Sequence, residues 1–204
     1  MAIITPPARL PLRRVQWRRT RVQQHNRSDW TGSTQVVRLP GATRWSVSGE
    51  FAPMVTQAAA RRWIAFFEAL DGMVNSFPVV AVEAAQTVQT NPVVNGAGQT
   101  GASLNLTGCS GAIGSELLPA GAKISIPLPD GSVQLEVLTA PIIVTAGGGG
   151  VATFSGWLRR SPAAAATVEI AQPSTLMRLT TAVTGWDVDA GQMYGFQFEA
   201  EEAF

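Results

Sequence analysis

The sequence has very little of the residues that most enzymes use for chemistry. Its 204 residues include one cysteine, Cys109, and one histidine, His25. A single cysteine cannot form a disulfide within the chain. Without a second histidine or a cysteine pair, a transition-metal site would need carboxylates alone, and no acidic cluster has ligand spacing. We therefore expect no metal, no cofactor and no catalytic residue.

Long hydrophobic runs and a strong net charge are also absent from the sequence. No stretch approaches the ~18 consecutive apolar residues that cross a bilayer, and arginines stand where a signal peptide would be apolar. We expect a protein made in the cytoplasm with no membrane segment. The formal net charge is only +1 at pH 7, so the chain lacks the basic excess typical of a nucleic-acid-binding domain.

Turn-forming residues and short alternating patterns make up much of what is present. The chain contains 20 glycines and 13 prolines, and 46% of its residues are hydrophobic. This composition predicts a packed, mainly β fold with many turns between short strands. Strands are predicted at residues 14–18, 36–39, 45–51, 77–82, 103–106, 123–126, 133–138, 151–157, 167–170 and 194–199.

One segment has the periodicity of a helix. Apolar residues recur at three- and four-residue spacing from Ala60 to Leu70, with Trp63, Ile64 and Phe67 between them. Thr56 is a favourable N-cap, and Asp71-Gly72 ends the pattern. We predict a helix over residues 56–70 that packs its apolar face on a sheet.

A change in composition divides the chain. Residues 87–101 are rich in Asn, Pro, Gly, Gln and Thr, which is typical of a connection. Short strands with no helix between them follow and favour a small antiparallel β-barrel. The aromatic strand near the C-terminus resembles the first part again. We therefore predict one domain of residues 1–87 and 181–204, with an inserted barrel of residues 91–180.

The glycine-rich motifs lack the context that cofactor chemistry requires. Gly96, Gly98 and Gly101 match the dinucleotide-binding spacing, but a predicted strand follows where a helix is needed. Gly147–Gly150 lacks the Lys and Ser or Thr of a phosphate-binding loop. Ser110 lacks the strand-to-helix elbow of a hydrolase nucleophile. We expect a linker or hairpin at the first motif and a hairpin tip at the second.

Opposite charges are separated along the chain. Arginines are concentrated near the N-terminus and carboxylates near the C-terminus, which favours pairing of the basic end with the acidic end of the same or a neighbouring subunit over nucleic-acid binding. The Pro-interrupted residues 1–12 are predicted to form an extended arm across an adjacent subunit, gaining contacts that it lacks in the monomer. The predicted subunit-interface residues are Arg13, Arg14, Arg18, Arg19, Glu199, Glu201 and Glu202.

The order of these parts resembles the distal tail proteins of long-tailed bacteriophages. The first part of the resemblance consists of the Pro-rich, Arg-bearing start, Trp45 on a strand, the Trp63-bearing helix with Gly72 after it, and the run Gly98–Leu104. Further runs are similar to a β-module that recurs in phage tail and baseplate proteins, namely Leu118–Ile126, Gly147–Phe154, Leu158–Pro162 and Val168–Ile170.

The resemblance implies a structural virion protein with no enzymatic activity. Its fold would be a tail-tube-like β-sandwich with one flanking helix and an inserted small antiparallel β-barrel. Such proteins form rings, usually hexameric, that continue the tail tube and dock the hub and fibre proteins. The protein would be assembled in the host cytoplasm and lie at the tail tip, around a lumen that passes DNA without specific binding. No residue-level site is carried over.

Two other functions stay open. A carbohydrate- or receptor-binding module would use the loops near Gly108–Gly114 and Gly147–Gly150 as its binding edge. An enzyme that acts on the cell wall is less favoured, because His and Cys are scarce.

Overall fold

The computed structural model describes residues 2–39, 41–182 and 184–204. The fold is mainly β with one α-helix and several antiparallel sheets, which confirms the predicted class at this level. The helix, α1, is Gln57–Ala69, and Ala146–Gly148 form a single 3-10 turn. In chain order the strands are β1 (Leu12–Thr20), β2 (Gln23–Arg27), β3 (Thr34–Arg38), β4 (Arg44–Phe51), β5 (Ser76–Val80), β6 (Val93–Val94), β7 (Ser103–Thr107), β8 (Glu116–Leu118), β9 (Lys123–Pro127), β10 (Val133–Val137), β11 (Ile142–Ile143), β12 (Gly150–Thr153), β13 (Ser174–Leu179), β14 (Asp187–Val188), β15 (Tyr194–Gly195) and β16 (Gln197–Glu202).

These elements form two compact units. The first unit contains the described residues of 1–18, 45–83 and 174–204, and the second contains those of 19–44 and 84–173. These ranges differ from the predicted bounds at residues 19–44, 84–87 and 174–180. The difference arises because Arg21 and Arg38 bind Ser155 within the second unit, whereas β13 pairs within the first. Independent folding of the two predicted domains stays a prediction.

A five-stranded sheet forms the base of the first unit. Its strand order is β1-β4-β16-β13-β5, with antiparallel pairing of β4 with β16, β16 with β13 and β13 with β5. The predicted alternation of β4 is confirmed, since Trp45, Val47 and Phe51 are buried and the residues between them other than Gly49 are less so. The sheet therefore has one apolar face and one polar face.

The helix packs on the apolar face. Thr56 is the N-cap as predicted, and its hydroxyl accepts a hydrogen bond from the backbone N–H of Ala59 at 3.3 Å. The predicted buried stripe needs one correction, because Ile64 is only half-buried while Phe66 is buried. Phe66 is drawn inward by edge-to-face packing against Phe77, with ring centroids 5.6 Å apart.

Aromatic rings join the helix to the sheet. Phe51 lies edge-on to Trp63 with ring centroids 4.9 Å apart, and Phe67 stacks on Phe196 with ring centroids 5.8 Å apart. This packing requires glycine at position 49, because a Cβ there would lie 2.5 Å from a ring carbon of Phe198. The core of the first unit is thus an aromatic cluster between α1 and the central strands.

The second unit is built from small antiparallel sheets. Its pairings are β2 with β3, β8 with β11, β9 with β10, and β6 and β12 with β7. Leu104, Leu106, Ile124, Ile126 and Phe154 belong to one shared apolar core. The predicted closed barrel is not found in the part of the chain that the structure describes.

The missing barrel has a local cause. Residues 167–170, predicted as a strand, make only isolated bridges from Thr167 to Val93 and from Glu169 to Ser125. With strands of two to five residues and single bridges between the sheets, the ladders do not join into a continuous barrel.

The described part of the N-terminal arm binds its own chain. Ile4 donates its backbone N–H to the carbonyl of Ser76 at 2.8 Å, and Ser76 donates to the carbonyl of Ala2 at 3.0 Å. The guanidinium of Arg9 donates to the carbonyls of Val82 and Glu83. The expectation that the arm lacks partners in the monomer is therefore wrong: residues 2–4 precede Pro6 and Pro7, so their backbone N–H groups can pair along β5.

Candidate assembly interface

The outer strand β1 presents exposed arginines in the first unit. Val15 and Trp17 are half-buried, while Arg14, Gln16 and Arg18 are exposed, as the alternating pattern predicts. Arg13 is exposed as well, so two consecutive outward side chains interrupt the alternation. Because β1 and β5 end the strand order and β5 carries residues 2–4, β1 is the long outer strand at the opposite edge.

Each exposed arginine of β1 has a different environment. Arg13 forms an ion pair with Glu50 of β4, and their side chains are 54% and 28% exposed. The guanidinium of Arg18 donates to the side-chain carbonyl of Gln16 at 3.0 Å. Arg14 faces a cleft. Such exposed contacts are weak in water, so these side chains can exchange them for contacts with another chain at little cost.

The cleft beside Arg14 has a volume of about 530 Å³. Its polar lining includes the carboxylates of Glu50 and Glu199, and its apolar lining includes Phe67, Phe198 and Leu179. The full lining is Arg14, Gln16, Ser48, Gly49, Glu50, Phe67, Leu179, Thr181, Thr184, Gly185, Gln197, Phe198 and Glu199.

The three predicted acidic interface residues separate in the structure. Glu199 is exposed and lines the cleft. Glu201 binds Arg178 on the neighbouring strand at 2.9 Å. Glu202 is only 3% exposed and accepts a hydrogen bond from the backbone N–H of Trp45 at 3.1 Å. Glu202 therefore accepts hydrogen bonds inside the first unit and is not available to another subunit, since a charge removed from water needs such partners.

Arg19 belongs to the second unit and is also buried. Its guanidinium forms an ion pair with Glu136, and their side chains are 10% and 2% exposed. The other oxygen of Glu136 accepts from the side-chain amide of Gln134 at 2.9 Å. Of the predicted interface residues, Arg13, Arg14, Arg18 and Glu199 are thus the exposed ones of the first unit, and Arg14 and Glu199 line the same cleft.

The glycine motif at positions 96, 98 and 101 lies between two paired strands. All three glycines have positive φ, and the segment connects β6 to β7, which pair antiparallel. Of the two structures expected for this motif, a linker or a hairpin, the segment therefore forms the hairpin. Ser110 donates to the side-chain oxygen of Gln89 at 2.8 Å, and burial raises the pKa of the Cys109 thiol above its usual value. Within the described ranges, no three His, Cys, Asp or Glu side chains form a group that could hold a metal ion.

The two loops considered for carbohydrate binding meet in the second unit. The backbone N–H of Cys109 donates to the carbonyl of Gly148 at 2.8 Å, and Gly114 donates to Val144 at the same distance. Ile113 is 73% exposed between them. These loops contain no aromatic or charged side chain, which are the groups that usually recognise sugars.

An exposed hairpin in the second unit was not predicted from the sequence. Strands β2 and β3 pair from Gln23↔Arg38 to Arg27↔Thr34, and His25 lies on β2. All ten of their residues are exposed, and Trp30 in the connecting turn is 98% exposed. The missed signal is a tryptophan in a turn-forming stretch, Ser-Asp-Trp-Thr-Gly-Ser, where burial is not expected.

Comparison with known proteins gives no family. No protein-family model matches the chain, and no curated protein sequence matches it. No helix in the described residues has the length and apolar character needed to cross a membrane.

Proposed function

We propose that this chain is a structural protein of the tail tip of a long-tailed phage, where copies associate through their first units into a ring. Two points support the proposal: the sequence runs that resemble distal tail proteins, and a mainly β fold. The observation that carries it is the asymmetry of the five-stranded sheet. One edge is covered by residues 2–4 of the same chain, and the other is a nine-residue strand with exposed arginines.

An outer strand of this length is suited to extend a sheet with another chain. Its backbone groups can form a ladder with an incoming strand, which is a common mode of association. The arginines limit the choice of partner. An antiparallel β1–β1 pair centred on Gln16 would place Arg14 opposite Arg18, and like charges opposite each other destabilise a sheet.

The charge on β1 therefore disfavours a two-fold dimer and favours a head-to-tail contact. Head-to-tail contacts generate rings when the rotation closes. In our proposal Arg13, Arg14 and Arg18 of one copy meet an acidic surface of the next, to which Glu199 belongs. The first unit acts as the tail-tube-like β-sandwich of the resemblance. A hexameric ring would continue the tail tube, dock the hub and fibre proteins and leave a lumen for DNA.

Mass photometry and negative-stain electron microscopy of the purified protein test the ring. We expect closed rings with a central opening at micromolar concentration. The double change Arg14→Glu and Arg18→Glu should reduce the rings to single chains, because it reverses the charge of β1. Arg62→Glu is the matched control, since Arg62 is exposed on α1 of the same unit. Immunogold labelling of particles should then mark the tail tip. Single chains at every concentration, or label on the capsid, would contradict the proposal.

Experiments can distinguish the two alternative functions from the proposed one. A carbohydrate- or receptor-binding module would bind members of a glycan array as a single chain, through the loops that meet at Cys109 and Gly148. A cell-wall enzyme would release soluble fragments from peptidoglycan. We rank both lower, because the loops lack aromatic and charged side chains and because the carboxylates of Glu201 and Glu202 already have structural partners.

A further inference from the structure

The β2–β3 hairpin is exposed along its whole length. Trp30 at its turn is 98% exposed, and Val36 and Val37 on β3 are 55% and 46% exposed. An isolated two-stranded hairpin is marginally stable in water, and exposed apolar surface of this kind usually marks a contact with another molecule. The exposed apolar side chains of the hairpin thus have the composition of an interface.

The hairpin is nevertheless held in a defined shape. At its base, the guanidinium of Arg21 donates to the hydroxyl of Ser155 at 3.0 Å, and Arg38 donates to the carbonyl of Ser155 at 2.8 Å. At its tip, Ser28 and Ser33 pair through their backbones at 2.9 Å, and Gly32 adopts a φ of +67°. A preformed element loses little entropy on binding, and an exposed tryptophan is a frequent binding hot spot.

A complementary surface lies in the first unit. Residues 186–195 form a second short hairpin with exposed apolar side chains, and Trp186, Val188 and Met193 are 43%, 50% and 38% exposed. Asp187 and Asp189 are exposed beside them. The two aspartates and Met193 also line a cleft of about 210 Å³. Arg13 and Glu50, which form an ion pair, line the same cleft, so the two aspartates leave this surface with apolar contact area and a net negative charge.

The two hairpins both have exposed apolar side chains, and they carry opposite charges. The segment 21–39 carries three arginines and one aspartate, whereas residues 186–195 carry two aspartates and no basic residue. We propose that the β2–β3 hairpin of one copy docks on the 186–195 hairpin of the next copy, with Trp30 in the 210 Å³ cleft. This inference rests on the proposed function, because the hairpin contact would join each subunit of the proposed ring to the next. The contact joins two different surfaces, so it is head-to-tail as a ring requires.

Arginines beside an exposed tryptophan can also bind single-stranded nucleic acid by stacking. We favour a protein partner, because Asp29 lies next to Trp30 and the valines of β3 offer no phosphate contacts. Nucleic-acid binding through Trp30 is an outcome of the test below.

The contact can be tested by site-directed cross-linking. Asp29→Cys and Val188→Cys are prepared as separate variants of the full chain, so that Trp30 is kept, and Cys109 is kept because it is buried. A short bismaleimide should give a cross-linked dimer when the two variants are mixed and none with either variant alone. A chain that carries both changes should give a ladder of oligomers up to the closed ring. Asp29→Cys mixed with Val88→Cys is the control, since Val88 is 98% exposed in the second unit.

A charge exchange supplies an independent test. Asp187→Arg should greatly reduce the cross-link between positions 29 and 188, and adding Arg27→Glu to the same chain should restore it. Rings that persist with no cross-link would overturn the hairpin contact and leave the proposed function standing. Single chains with no cross-link would overturn both. Binding of labelled single-stranded DNA that depends on Trp30, with no cross-link, would overturn the hairpin contact in favour of nucleic acid.

Discussion

Two arginines near the start of the chain show how much the surroundings of a charge determine its role. The side chain of Arg19 is 10% exposed and paired with Glu136, whereas that of Arg13 is 54% exposed and paired with Glu50. A buried carboxylate without its cation carries a large desolvation penalty, which an exposed carboxylate largely avoids. Gly156 lies against the buried pair, and a Cβ at this position would collide with the Glu136 carboxylate.

Replacing each arginine tests this contrast. We expect Arg19→Ala to lower the free energy of unfolding of the second unit by about 3–5 kcal/mol, because Glu136 is left buried and charged. Arg13→Ala should cost about 1 kcal/mol or less. Urea unfolding followed by tryptophan fluorescence measures both values. Equal losses for the two variants would contradict the assignment of Arg19 to the core.

At the scale of elements, the helix depends on its first turn. The Thr56 hydroxyl satisfies the N–H of Ala59, one of the four N–H groups that a helix leaves without an internal partner at its start. The rest of its stability comes from the aromatic face that packs on Phe51 of β4 and Phe198 of β16.

A substitution at the cap isolates this contribution. Thr56→Ala should destabilise the first unit by about 1 kcal/mol, since the N–H of Ala59 loses its acceptor. Thr56→Ser keeps a hydroxyl at the same place and should retain most of the stability. Thermal unfolding followed by the helical circular dichroism signal at 222 nm measures the difference. A serine variant as unstable as the alanine variant would contradict the cap.

Elements with a clear periodicity could be predicted from the sequence. The alternation of β4 and the helical stripe around Trp63 each have one buried face, so the pattern reports the structure directly. Strand β13 could not be found this way. Three consecutive residues, Thr175, Leu176 and Met177, are buried, so a strand at the centre of the sheet shows no alternation.

The candidate interface was only partly predictable for a related reason. Arg18 and Arg19 are neighbours in a run of arginines, yet one is exposed and the other is buried against Glu136. Glu136 lies 117 residues further along the chain, and no local pattern indicates a partner at that separation. Periodicity detects burial, so it did not indicate that Trp30 is exposed, whereas the position of Trp30 in a turn-forming stretch could have done so.

At the scale of the whole molecule, each unit has a core of its own. The first is aromatic and involves α1, whereas the second is aliphatic and contains Cys109. Burial raises the pKa of this thiol, which leaves less reactive thiolate at a given pH than in an unfolded chain. The contribution of the Cys109 thiol to stability is fully present below the thiol pKa of the unfolded chain. It is lost as the pH rises through the higher thiol pKa of the folded chain.

Thiol labelling therefore reports on the second unit alone. We expect Cys109 to react slowly with a maleimide in the native protein at pH 8 and rapidly in urea. Arg19→Ala should accelerate the labelling at intermediate urea concentration while the helix signal of the first unit is unchanged, because the two cores are separate. The wild-type chain in the same urea series is the control. Labelling and helix loss that coincide in every variant would show a single cooperative unit instead.

The placement of β13 and β16 between β4 and β5 has a consequence for synthesis. A ribosome releases residues 84–173 before it has made either strand, so the second unit can fold while the first still lacks the middle of its sheet. Until β13 and β16 are synthesised, β4 and β5 lack the strands that lie between them. Their apolar face therefore stays exposed to solvent unless a chaperone binds it. A nonsense mutation after Pro173 would accordingly leave a product with one intact half and one half that is prone to aggregate.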